Sequence, residues 1–221
     1  MQHNWNFSSV FAYWDVLLIG LSGTVKLFAI TCIAGLIGGL VIGILRYSKN
    51  RWMSYPARLY VEVFRNTPVL VQIIWFFFAM PVVIGVEISA FMAAFLGITL
   101  NTAAFSAEVF RGGIQSIERE QWEAGKAIGM NYGTTMRRII LPQALKRMLP
   151  PLTSRGIEVF KMSTLASVVA YPETLQQAKL IASYEYNPIE AYTIVALMFF
   201  LVLLPMVQLT YLLERRFGKA D

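Results

Sequence analysis

Glu123-Ala124-Gly125-Lys126-Ala127-Ile128-Gly129, followed by Ile139-Ile140-Leu141-Pro142, lies in a polar, basic segment (residues 115–150) of a chain that is otherwise largely apolar. Glu118 to Ala127 is rich in helix formers and free of proline, which predicts a helix. Gly129 and the stretch Asn131–Gly133 supply backbone freedom for a sharp reversal. Thr134 and Thr135 suit the cap of a second short helix, Met136–Ile140. Pro142 suits the first position of a third, Gln143–Leu149, which Pro150 and Pro151 are expected to stop. The result is a knob that shows Ala124, Ala127, Ile128, Met130, Tyr132, Ile139 and Leu141 beside charge. It either folds against its own neighbours or docks a partner. A DNA-reading helix pair is disfavoured, because apolar segments hold the knob close on both sides.

Those segments set the class. The chain has 221 residues, 57% of them hydrophobic and only 14% charged, against about 25% charged in a soluble domain. Several apolar runs exceed the roughly 20 residues needed to cross a bilayer as a helix. Cys32 and His3 are the only residues of their kinds. A disulfide framework and a Cys/His metal set are excluded, and no nucleotide loop or nucleophile constellation is present. The net charge of +6 fits a positive-inside bias better than nucleic acid. The first residues lack the basic start of a cleavable signal.

Five spans are expected: Val16–Leu45, Tyr55–Phe78, Ile88–Phe110, Leu152–Tyr171 and Ile189–Leu213. Trp5, Phe7, Phe11, Tyr13 and Trp14 make residues 1–14 an interfacial segment outside the first span. Arg46, Lys49, Arg51 and Arg58 follow span one; the basic segment 115–150 follows span three; the tail 214–221 is basic again. The intervening ends nearly lack Lys and Arg. This alternation predicts an all-α membrane protein with its N-terminus outside and with the central loop and C-terminus in the cytoplasm. Gly35, Gly38, Gly39 and Gly43 let span one approach a neighbour closely.

Charged residues recur near the cytoplasmic ends of three spans: Glu62/Arg65, Glu108/Arg111 and Glu158/Lys161. Each pair is at i,i+3 and able to meet on one helix face. Charges in a bilayer face protein or water. Glu62, Arg65 and Arg111 are read as either neutralised interfacial pairs or an inner gate. Glu158 and Lys161 are read as lining a path, since span four, with Arg155, Ser163, Thr164 and Ser167, is too polar to face lipid.

The loop resembles the "EAA" signature of the permease subunits of ATP-binding-cassette importers. It keeps Glu123, Ala124, a small residue at Gly125, then Gly129 and Ile139-x-Leu141-Pro142 at family spacing. Gly23-Thr24-Val25, Phe64 to Pro68 with Val71-Gln72, Ala107 to Ile117, and Lys161 to Ser167 are similar to the polar amino-acid subfamily. Five spans in about 220 residues also fit it. Two departures are visible: Glu118-Arg119-Glu120-Gln121 at the loop entry, and Met162 where relatives often have a polar residue.

The resemblance implies a single permease domain in a bacterial inner membrane. It implies two ATPase subunits that bind ATP and Mg, a second permease subunit, an extracytoplasmic amino-acid-binding protein, and no cofactor in this chain. Glu123, Ala124, Gly125, Gly129, Ile139, Leu141 and Pro142 would couple to the ATPase. Glu158, Lys161, Ser163, Thr164 and Ser167, with Gln72, Asn101 and Glu108, would line the substrate path. The rival reading is an ion-gradient-driven carrier or channel. Five spans without inverted repeats argue against it.

Overall fold

The computed structural model describes residues 5–48 and 50–217. His3, Lys49, Lys219 and the outer parts of the 1–14 segment and the 214–221 tail lie outside the described residues. All elements among them are helical. A short helix α1 (Phe7–Phe11) precedes α2 (Trp14–Tyr47), and α3 (Arg51–Asn66) follows. Next come α4 (Val69–Ile74), a π-helical turn (Trp75–Ala79) and α5 (Met80–Ile84), which together form one continuous run. The long helix α6 (Ala90–Gln115) leads into α7 (Arg119–Ala127), α8 (Tyr132–Thr135), a second π turn (Met136–Ile140) and α9 (Leu141–Met162). A 3-10 segment (Ser163–Val169), α10 (Thr174–Glu185) and α11 (Pro188–Phe217) complete the chain.

By length and composition, α2, α6 and α11 can each cross a membrane, and the pair Arg51–Asn66 with Val69–Ile84 makes a fourth candidate only as a broken span. The expected second span, Tyr55–Phe78, is therefore not one helix: its two halves meet at 102°. Pro68 has no N–H to give, and Thr67 before it is extended at φ −98°, ψ 128°, the conformation a following proline imposes. Pro81 does not end the second half. It stands inside the continuous run, directly after the π turn Trp75–Ala79, and its fixed φ is compatible with the helix.

The helices pack as neighbours that reverse in turn. α2 and α6 run parallel along a seam of small residues. A Cβ on Gly39 would fall 2.5 Å from that of Ser106, and one on Gly35 2.6 Å from Thr102 Cγ2. The chain must therefore return between them, and α4 does so beside α6, with Val69 and Ile73 packed on Ala94 and Ile98. α9 retraces α6 in the opposite sense: Met148 meets Gly113, Arg155 meets Asn101, and Val159 and Ala166 join the same cluster as Ile98 and Ala94. α11 then runs antiparallel to α9, pairing Phe199 with Phe160 at 5.4 Å.

The expectation that Pro150 and Pro151 stop a helix is also corrected. α9 continues through both. Proline's fixed φ is already helical, and the turns on either side are held. Ala144 and Met148 are buried with Ile117 and Ile140, and Arg155 is anchored beyond. The cap at the start of α8 is Asn131, whose Oδ1 accepts from Thr134 N at 2.9 Å, not either threonine. Met136–Ile140 is helical as expected, but as a π turn joined to its neighbours.

Candidate functional site

The polar centre begins at the broken helix. Phe64 O has lost its helical donor because residue 68 is proline. Two side-chain amides replace it: Gln72 Nε2 at 3.1 Å and Asn101 Nδ2 at 2.7 Å. Gln72 Nε2 also donates to Thr67 O at 2.8 Å. Both amides are buried, and their bonds satisfy the carbonyls that the bend frees. Gln72 and Asn101, expected to line a path, are thus engaged in holding the bend.

Asn101 passes the network onward. Its Oδ1 accepts from Arg155 Nη2 at 2.6 Å, and Arg155 Nη1 donates to Glu158 at 2.7 Å. The Arg155 side chain is only 5% exposed and that of Glu158 56% exposed. Its guanidinium lies 4.4 Å from the centroid of the Phe105 ring, and Arg65 lies 5.0 Å from the same ring. A buried guanidinium persists only when paired and hydrogen-bonded; here a carboxylate, an amide and an aromatic face do this. The network opens into a cleft of about 410 Å³ lined by Phe105, Val109, Pro150, Pro151, Ser154, Arg155, Glu158 and Glu214. Its two carboxylates, one guanidinium and aromatic wall suit a ligand that carries both charges.

Of the three expected i,i+3 pairs, one forms as read. Glu108 receives Arg111 at 2.6 Å. It is also the hub for Arg46, and for Arg65 at 3.9 Å. Glu62 instead accepts from Asn66 at 3.1 Å, because Arg65 is drawn across to Glu108 and Phe105. Glu158 turns back to Arg155, and Lys161 is exposed. An i,i+3 spacing permits a contact, but the partner buried on the neighbouring helix decides it. Ser163 and Thr164 donate to the carbonyls of Phe160 and Lys161. Ser167 accepts from Lys179 at 2.9 Å. The five residues expected on span four therefore do not converge on one point.

Arg155, Phe105 and Arg46 join these networks, and Lys179 pairs with Ser167 apart from them, although sequence reasoning did not select them as site residues. Arg155 had a signal in the sequence, a full charge inside an apolar-flanked segment. The others gain meaning only from their neighbours.

The knob is compact. Trp122 and Tyr132 stack at 5.4 Å and 19°. Gly125 is buried where a Cβ would lie 2.7 Å from Thr135 Cγ2, so a larger residue would push α7 off α8. Gly129 takes φ +77° in the reversal, a left-handed conformation that favours glycine. Its flanks close through Gly129 N to Lys126 O at 2.9 Å and Met130 N to Gly125 O at 2.9 Å. Ile139 packs on the cluster of Ile117, Ile140, Ala144 and Met148 at the base. Glu123 pairs with Arg119 at 2.8 Å, yet both remain largely exposed. Ala124, Ile128, Leu141 and Pro142 are exposed as well. Burial, and then the neighbouring Tyr47 hydroxyl, raise the Tyr132 phenol above its ordinary pKa.

Residues 35–219 match the family described as binding-protein-dependent transport system inner membrane component. The probable amino-acid ABC transporter permease protein YckA of Bacillus subtilis (strain 168) is 37% identical over 199 residues, 90% of this chain and 88% of that protein. The arginine transport system permease protein ArtQ of the same strain is 31% identical over 99% of this chain and 100% of its own length. The glutamine transport system permease protein GlnP of Escherichia coli (strain K12) is 34% identical over 98% of each. A crystal structure of an amino acid ABC transporter with histidines superposes with a TM-score of 0.91 at 34% identity, over 97% of this chain and 100% of that one. An inward-facing MetNI methionine ABC transporter shares the fold, with a TM-score of 0.72 at 20% identity over 91% and 98% of the two chains.

Proposed function

The chain belongs to the family of binding-protein-dependent transport system inner membrane components, and from that premise we propose how it works as the membrane subunit of an ATP-driven amino-acid importer. One observation carries the reading. α9 is a single helix from Leu141, at the base of the knob, to Met162, beyond Arg155 and Glu158. A displacement of the knob therefore reaches the polar centre without a joint to absorb it.

The knob is the docking element for a separate ATPase, which binds ATP and Mg. Its exposed tip, with Glu123, Ala124 and Ile128, offers the contact. Gly125, Gly129, Ile139, Leu141 and Pro142 shape and seat it. Closure of an ATPase pair moves two such knobs, one on each permease subunit, and α9 tilts Arg155 and Glu158 against Asn101. Glu158 with its exposed carboxylate, Arg155 and Glu214 form the part of the path that meets a zwitterion. Lys161, Ser163, Thr164 and Ser167 with Lys179 extend the path along the same helix. The Glu108 cluster with Arg46, Arg65 and Arg111 closes its inner end.

Five passes in the order α2, the Val69–Ile84 run, α6, α9 with its 3-10 extension, and α11 are supported by the alternating directions of packing. The basic knob and tail support a reading with the inner side in the cytoplasm of a bacterium and the N-terminal aromatic segment outside. There an extracytoplasmic binding protein delivers the amino acid. An ion-gradient-driven carrier or channel is not favoured, given the family.

Uptake by the reconstituted permease–ATPase–binding-protein complex against a panel of amino acids tests this reading; the permease alone is expected to transport none. Gly129→Val is expected to insert normally and to abolish the stimulation of ATP hydrolysis by loaded binding protein. Undiminished stimulation in that variant would refute the coupling role.

A further inference from the structure

We propose that the cleft between the ends of α2, α3 and α6 binds the phosphodiester headgroup of an anionic phospholipid. The cleft is about 470 Å³ and is lined by Arg46, Tyr47, Arg58, Glu62, Arg111 and Gln115. Arg65 adjoins it through Glu108. Four guanidinium groups thus face two carboxylates, an excess of positive charge at the edge of a low-dielectric region. The Arg46 side chain is 11% exposed and pairs with Glu108, whereas Arg58 is exposed at the cleft. A phosphodiester supplies the missing negative charge and a strong acceptor for the Arg58 guanidinium.

The surroundings select a lipid over a free anion. α6 crosses the membrane and the Val69–Ile84 run lies against it, so α3, at 102° to that run, lies near the membrane plane. At 100° per residue, α3 carries three arcs. Ser54, Ala57 and Val61 are buried. Arg51, Arg58, Glu62 and Arg65 form a charged arc beside them. Trp52, Leu59 and Val63 form an apolar arc that is 90%, 56% and 50% exposed. Such a helix sits at an interface with its apolar side toward acyl chains. On α2, Ile37, Leu40, Val41 and Ile44 are exposed and lead down to Tyr47 at the cleft. They offer acyl chains a track that ends where the headgroup would rest. A soluble phosphate has no use for that track. The proposal relies on the reading of α2 and α6 as membrane passes with this end at the anionic cytoplasmic leaflet.

The test is native mass spectrometry of the detergent-purified full chain, titrated with phosphatidylglycerol or phosphatidylcholine of identical acyl chains. One phosphatidylglycerol is expected to be retained in preference to phosphatidylcholine. Arg58→Glu should weaken its retention by more than tenfold, and Glu62→Gln should strengthen it by about fivefold, the effect of one charge near such a surface. A gain cannot arise from misfolding, so the two variants check each other. Equal retention of both lipids, or insensitivity to both substitutions, would overturn the proposal. So would displacement by millimolar inorganic phosphate alone, which would assign the cleft to a free anion, or occlusion of the cleft in a dimer that retains no lipid. Binding in detergent needs no transport, so its failure would leave the permease reading untouched.

Discussion

Two proline-marked stretches behave in opposite ways. At Pro68 the helix breaks and turns by 102°; at Pro150 and Pro151 it runs on. A proline does the same local harm at both places: it deletes one donor and crowds the preceding turn. The difference lies in what surrounds it. Phe64 O, orphaned by Pro68, is met by the amides of Gln72 and Asn101, so the bent form keeps that carbonyl paired. Around Pro150, Met148 on one side and Arg155 on the other are buried against α6, and a bend would tear them loose. The first site is a joint and the second lies within a lever.

The largest effect is expected from Asn101→Leu. It removes the acceptor of a buried guanidinium and a donor at the joint together, and should cost about 3 kcal/mol of stability, read as a lower unfolding temperature in detergent. A mild effect would mean that the joint is held by packing alone.

Next in size is the contrast between the prolines. Pro68→Ala restores an amide that competes with Asn101 and Gln72 for Phe64 O. Transport should fall severalfold while the protein still folds. Pro150→Ala adds a donor to a helix that already exists and should raise stability by about 1 kcal/mol, with a smaller effect on transport than Pro68→Ala. Equal outcomes in uptake assays would erase the distinction between joint and lever.

A third break, after the 3-10 segment at Pro172, is held by a carboxylate instead of amides. Glu173 is fully buried and accepts from Leu175 N and Gln176 N at 2.8 Å each. Burial pushes its pKa from 4.5 up to about 7, against the pull of these amides, Lys179 and Thr24. The folded state therefore holds a proton that the unfolded chain gives up, and this contribution to stability is lost as pH rises from 4.5 through about 7. Thermal unfolding followed across that window should show the decline, and Glu173→Gln should flatten it. The amide-held joint at Pro68 should add no such slope.

The smallest effect belongs to Arg119→Ala in the knob. Its partner Glu123 is an exposed i,i+4 neighbour, and such pairs are worth less than about 1 kcal/mol. Thermal unfolding should scarcely move. A large loss would shift the knob's rigidity from the Trp122–Tyr132 stack and the Gly125–Thr135 contact to an ion pair.

Much of this was legible in the residues. Apolar runs mark α2, α6 and α11. Gly35 and Gly39 announce the close helix contact that the fold makes with them. The helix at Arg119–Ala127 and the turn at Gly129 follow from composition and glycine chemistry. The partners of polar side chains were not legible. Glu158 was read with Lys161 and meets Arg155; Gln72 and Asn101 were read as path residues and serve the bend. Spacing along one helix offers several partners of similar quality, and burial between helices chooses among them.

By itself the sequence determined that the chain is helical and apolar enough for a membrane, where its basic knob lies along the chain, and which family spacing that knob carries. These depend on local propensity and on hydrophobicity, which act residue by residue. Tertiary structure alone decided which proline bends and which does not, and which arginine is buried at the polar centre. A lost backbone donor is tolerable where the surrounding fold either supplies a substitute or holds the helix on both sides, and a desolvated charge only where a partner is brought to it.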